Sequence, residues 1–197
     1  MKGYIEPIGR LINKFRLLPG VGEKTAQRFA YQVMNLTEEE VKDFANAIIE
    51  VKTKVRYCKE FGNYTENEIC DICKERDKSI ICVVKEPKDI ISIERLNEFK
   101  GVYHVLHGVI SPKDGVGIED LSIKPLIEKI EKNGVKEVIF ATGTSIEGDT
   151  TALALSYYIK PFNVKVTRLA QGIPIGTDIE YADEGSLSKA FIERKSI

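Results

Sequence analysis

Three groups of residues in this 197-residue chain have types and spacings that could do chemistry. Glu147 and Asp149 lie in the stretch KEVIFATGTSIEGDTTALA, residues 136–154. As a carboxylate pair they could hold a hard cation such as Mg²⁺. Cys58 and the pair Cys70-Asp-Ile-Cys73 supply thiols of the kind that bind zinc. Gly20-Val21-Gly22, followed by Lys24, Thr25 and Arg28, joins bare backbone N–H groups to two cations, a combination suited to phosphate.

Composition limits what these groups can be doing. Charged residues make up 30% of the chain, yet the net charge is −1 and the isoelectric point about 6.2. The molecule is therefore no polycation, and nucleic-acid contact has to come from a local patch. The first 35 residues are such a patch: Lys2, Arg10, Lys14, Arg16, Lys24 and Arg28 stand against Glu6 and Glu23. The N-terminal stretch lacks the apolar core of a signal peptide. No run reaches the roughly 18 apolar residues of a membrane span. Four cysteines, two of them in a C-x-x-C, suit a reducing cytosol and a metal better than disulfides. The expectation is a soluble cytoplasmic protein.

Each group needs an element to hold it. Ile5, Ile8, Leu11, Ile12 and Phe15 recur at helical spacing, as do Ala26, Phe29, Ala30 and Val33. The Pro19–Gly22 segment between them reads as the turn of a helix-hairpin-helix, in which glycine allows a tight positive-φ bend. Lys24 and Arg28 then lie one turn apart on the second helix, each placed to clamp a phosphate. The bland alternative is an ordinary helical hairpin with solvated charges. Thr37-Glu38-Glu39-Glu40 is a capping box that starts a third helix running to about Arg56. That helix is expected to turn Val41, Phe44, Ala45, Ile48, Val51 and Val55 inward and to pack on the hairpin.

In the cysteine segment, a zinc ribbon would present two C-x-x-C knuckles, and here Phe61 stands where the second ligand belongs. Cys82 sits within the apolar run Ile80–Val84 and reads as a buried core residue rather than a ligand. Two readings stay open. Cys58, Cys70 and Cys73 could bind zinc with Glu60, Glu66, Asp71 or water as fourth partner, or Phe61 could pack over a vacated site.

From residue 79 the pattern alternates between short apolar runs and helical spacing. Strands are expected at 80–84, 101–106, 138–141 and 164–169, with helices between them, which argues a parallel sheet. His104 and His107, the two histidines, read as structural. The acidic loop after strand 138–141 lies at the carboxyl end of a strand, where open α/β sheets handle ligands. This half resembles the Toprim fold of topoisomerases and primases. Active Toprim enzymes carry D-x-D where this chain has Gly143 and Ser145, and an acid at the strand end where it has Lys85. That leaves Glu86 as the nearest carboxylate there, with Glu147 and Asp149.

Taken in order, LPGVGEKTAQR, the cysteine segment, ICVVKEPKDI, GVYHVLHGVISPKDGVG, EVIFATGTSIEGDTTA and KVTRLAQGIPIGTDIEYAD resemble the RecR family of bacterial recombination mediators along essentially the whole chain. The resemblance implies an α+β protein of several modules. These are a helix-hairpin-helix DNA-binding domain (1–56), a zinc-ribbon-like segment (57–78), a Toprim domain with a parallel sheet (79–170), and a Walker-B-like Gly-rich acidic tail with a helix (171–197). It implies no enzymatic activity and no catalytic residue. It further implies homodimers and ring-like tetramers around single- or double-stranded DNA, and work with RecO and RecF to load RecA onto SSB-coated strands. Gly20, Gly22, Lys24, Thr25 and Arg28 would bind DNA, and Glu147 and Asp149 a partner. The competing reading is a Mg²⁺-dependent Toprim phosphoryl-transfer enzyme. It would need several convergent carboxylates and an acid/base group, most of which this chain lacks.

Overall fold

The computed structural model describes residues 3–194. They form two compact units, one ending at Val55 and the other beginning at Arg56.

The first unit is all helical: α1 (Glu6–Phe15), α2 (Glu23–Val33) and α3 (Glu38–Lys54). Pro7 sits in the first turn of α1, where a missing N–H costs nothing. Ile12 of α1 is buried against Ala26 and Ala30 of α2, with Ile8, Leu11, Phe15 and Val21 packed around them. The two alanines let the helix axes approach closely. Phe15 meets Phe29 edge-on at 5.6 Å, a pair contributing about 0.5–1.5 kcal/mol beyond its burial.

Helix α3 begins at the expected capping box: the Glu40 N–H donates to Thr37 Oγ1, and the Thr37 N–H donates to Glu40 Oε2 at 2.8 Å. Its apolar stripe is not turned inward as the periodicity suggests. No residue of α3 is buried, and Phe44, Ile48 and Val51 are 46%, 57% and 65% exposed. A 55-residue helical unit has too little mass to cover both the hairpin and a 17-residue helix.

The second unit opens with β1 (Arg56–Tyr57) paired antiparallel to β2 (Tyr64–Thr65), then the short α4 (Asp71–Glu75). An all-parallel sheet follows, built from β3 (Ile80–Val84), β4 (Val102–Val105), β5 (Glu137–Ala141) and β6 (Lys165–Arg168) in the order β4-β3-β5-β6. Helices α5 (Pro87–Glu94), α6 (Ile123–Lys132) and α7 (Ile146–Ile159) make the crossovers, and α8 (Glu184–Ile192) closes the chain. The expected four strands and intervening helices are all present.

Strand alternation sends Ile81, Val83, Val102, Val138 and Phe140 into one core cluster, and Cys82, Val84, Tyr103 and Val105 into the other. With both faces covered, β3 reads as a continuous apolar run. The first cluster also contains Cys58, Phe61, Cys70 and Cys73, so the cysteine segment shares the core of the sheet. Its backbone joins too: the Val105 N–H donates to the Phe61 carbonyl at 2.9 Å.

Candidate nucleic-acid interface and metal centre

At the helical hairpin, Gly20 has φ +78°, which only glycine takes without strain, while Gly22 is extended and caps α2. A side chain at either position would meet nothing within 4 Å, so the turn's backbone is open to an approaching group. Lys24 and Arg28 are exposed on α2, and Thr25 between them is half-buried. The Arg28 guanidinium lies 5.8 Å from the Phe29 ring centroid, which restricts its stem without using its donors. Open amides, a helix N-terminus and two free cations thus share one face, an arrangement able to take phosphates irrespective of base sequence.

In the cysteine segment, the Cys58, Cys70 and Cys73 sulfurs lie within 4.8 Å of one another, all buried. The separations are 3.0 Å for Cys70–Cys73 and 3.7 Å for Cys58–Cys73. A tight turn sets them up: Cys58 N–H donates to the Asn63 carbonyl, Gly62 N–H to the Cys58 carbonyl at 2.9 Å, and Cys70 N–H to Cys58 Sγ at 3.4 Å. Gly62 has φ +78°, and a Cβ there would lie 2.7 Å from His107 Nε2. The hydrogen bond from Cys73 pulls the Cys70 thiol down to about 6, and Cys73 is pushed up in turn. A thiolate is thus already favoured within the trio, which fits a soft or borderline metal such as zinc.

Phe61, which stands in sequence where a fourth ligand belongs, is 1% exposed and packs in the same core cluster as the three cysteines. Above its ring, the Lys129 ammonium of α6 stands 4.3 Å from the centroid. Burial lowers the Lys129 pKa, and the negative charges of Glu60, Cys73 and Cys58 oppose that. Cys82 takes no part. It lies 2% exposed in the other core cluster, where burial pushes its thiol up to about 12.

The third group sits at the carboxyl pole of the sheet. Thr142 Oγ1 donates to the Gly148 carbonyl at 2.9 Å, and Ser145 caps α7 by accepting from the Gly148 N–H at 3.2 Å. A Cβ on Gly148 would collide with the Thr142 carbonyl at 2.5 Å, so the helix can dock on the loop only with glycine there. Glu147 is partly exposed, and its own backbone N–H and Ser145 hold its carboxyl below the usual range.

Asp149 is not the free carboxylate that the sequence suggests. Arg168, at the end of β6, forms an ion pair with it and also donates to the Gly143 carbonyl at 2.7 Å. Lys189 of α8 reaches its other oxygen at 3.5 Å. The Arg168 hydrogen bond, before the charges of Arg168 and Lys189, keeps the Asp149 carboxyl well ionised. Glu86 is engaged likewise, by Lys88 at 2.6 Å and Lys85 at 3.5 Å. Among the described residues, the one cluster of three or more potential metal ligands is the cysteine trio.

With this geometry in hand, the comparisons are specific. The Toprim domain family matches residues 79–170, the RecR helix-hairpin-helix family residues 8–52, and the RecR C-terminal family residues 172–195. Recombination protein RecR of Staphylococcus aureus strain MRSA252 is 51% identical over 193 residues, covering 97% of this chain and 98% of that protein. The protein of the same name from strain JH9 is 50% identical over the same span. This chain belongs to the RecR family. The expected α+β organisation, with a hairpin unit, a cysteine cluster and a Toprim sheet, is therefore present in both the fold and the family matches.

Arg168, Lys189 and Lys129 went unnoticed in the sequence, because each acts across a long loop of chain. Arg168 had one available signal. It ends a strand paired with β5, at the same pole of the sheet as the first turn of α7, which carries Asp149. Of the described helices, none is long and apolar enough to cross a membrane.

Proposed function

We propose that this chain is a DNA-binding recombination mediator of recombinational repair. It works as a clamp-like homo-oligomer that, with RecO and RecF, helps load RecA onto SSB-coated single strands. The observation that carries this reading is the open Gly20–Gly22 turn with Lys24 and Arg28 beside it, within residues matched by the RecR hairpin family. Phosphate contacts of this kind position DNA without reading sequence, so single and double strands are both ligands.

Oligomer formation is supported by the exposed apolar residues of α3, Phe44, Ile48, Ile49 and Val51, which a lone unit leaves in water. Cys58, Cys70 and Cys73 hold zinc as a structural cross-link, and a thiol site of this kind suits the reducing cytoplasm. The chain does no chemistry on DNA. Glu147 and Asp149 belong instead to a partner-docking pole, with Glu147 the outward charge and Asp149 tying the loop to Arg168 and Lys189. A phosphoryl-transfer site would need those carboxylates free for metal.

The test is recombinase loading on SSB-coated single strands with RecO present. The chain should accelerate filament formation, and Lys24→Glu with Arg28→Glu should remove the acceleration. Acceleration that survives the double substitution would refute the hairpin's role.

A further inference from the structure

Resting on the reading of the cysteine trio as a metal centre, we propose that Lys129 is the counter-cation of a three-thiolate site. Its ammonium cancels the net charge that the bound metal leaves behind. Three thiolates around a divalent ion carry one negative charge in excess, and an uncompensated buried charge is costly. The sulfurs here are buried, at 3%, 5% and 1% exposure for Cys58, Cys70 and Cys73. Phe61, itself 1% exposed, shares their core cluster and adds hydrocarbon rather than a polar group to their surroundings.

Two lysines line the cleft beside Cys58, and Lys59 is already paired with Glu68 at 2.7 Å, which leaves Lys129. Cys58, Glu60, Phe61, His104 and Lys129 wall a single cleft of about 280 Å³, and the Lys129 ammonium stands over the Phe61 ring at 4.3 Å. Glu60, the acid of that cleft, is already paired with Lys78. Among the described residues no carboxylate pairs with Lys129, so its charge is available to the thiolates. A fourth cysteine in place of Phe61 would leave two excess charges, which one lysine could not balance. Phe61 and Lys129 therefore fit together: the ring stands in sequence where a further thiolate would add charge, and the ammonium over it, in the same cleft as Cys58, neutralises what remains.

The alternative is that Lys129 merely packs its stem and head on an aromatic ring. Zinc affinity separates the two, measured on full-length protein by competition with a chromogenic chelator, with urea unfolding of the metal-free form alongside. Lys129→Met keeps the stem and removes the charge, and Lys129→Gln is a second neutral variant in case the first folds poorly. Lys129→Arg keeps the charge. The expected result is a loss of roughly 10- to 100-fold in zinc affinity for the neutral variants, near-normal affinity for Lys129→Arg, and little change in metal-free stability. Wild-type affinity in the neutral variants, or an equal loss in Lys129→Arg, would overturn the role of Lys129 alone. A wild-type chain that takes up no zinc would overturn the metal centre itself.

Discussion

The Asp149 carboxylate is bound by the Arg168 guanidinium, at the point where a catalytic Toprim domain would gather acids around a metal. Lys189 approaches from α8 on the other oxygen. An internal arginine and lysine thus occupy the electrostatic role that a divalent cation would fill. They also fasten the C-terminal helix to the first turn of α7. Asp149→Ala should leave Arg168 and Lys189 without their shared carboxylate, costing roughly 1.5–3 kcal/mol. Amide hydrogen exchange should quicken across 184–192, and binding to a RecO-like partner should weaken while hairpin DNA contact is retained. Unaltered exchange in α8 would contradict the fastening.

The metal centre makes a separate prediction. Purified chain should contain about one zinc, and a chelator should loosen residues 57–80 first. Phe61→Cys should have two opposed effects. Removing a buried phenylalanine from a packed core should lower metal-free stability by roughly 3 kcal/mol. A fourth thiolate should raise metal retention. X-ray absorption should count three sulfur neighbours in the wild type and four in the variant. A wild-type protein with no metal and undiminished stability would mean that Phe61 has replaced the site by packing.

His104 gives a pH signature. It is buried in β4, its Nε2 is 2.5 Å from the Ser122 carbonyl, and its Nδ1 has no partner. Burial lowers its pKa from 6.5 to about 3, with the Lys129 charge adding to that. The unfolded chain therefore binds a proton between those values that the folded chain refuses. The neutral-histidine contribution is complete above 6.5 and is lost as pH falls below it, by about 2 kcal/mol at pH 5. Urea unfolding of wild type and His104→Gln at pH 7 and pH 5 should show this extra slope in the wild type alone. Parallel slopes would contradict it.

How much was legible follows from how far each signal reaches along the chain. The hairpin turn, the Thr37 capping box, the four strands and the exclusion of Cys82 all rest on local spacing, and the fold has them. The helix expected within 171–197 is α8, and Asp183 sets its start by accepting from the Ser186 N–H. The inward stripe of α3 failed. Periodicity shows that a helix has an apolar face, but not whether the same chain covers it. Phe61 could be read as a missing ligand, whereas the lysine above its ring lies 68 residues further on, beyond any motif. The pairing of Asp149 was hidden likewise, since its partners lie 19 and 40 residues away.

The central claim is that DNA is held by the hairpin and not processed at the sheet. The most direct measurement is equilibrium binding of labelled single- and double-stranded DNA over a salt series with Mg²⁺ present, followed by electrophoresis of the recovered DNA. Wild-type affinity should fall steeply with salt. Lys24→Glu with Arg28→Glu should abolish most binding, and the salt slope should flatten by roughly 2 if each cation meets one phosphate. The recovered DNA should be intact. Binding unaffected by the double substitution, or Mg²⁺-dependent cleavage that disappears in Glu147→Ala, would contradict the account.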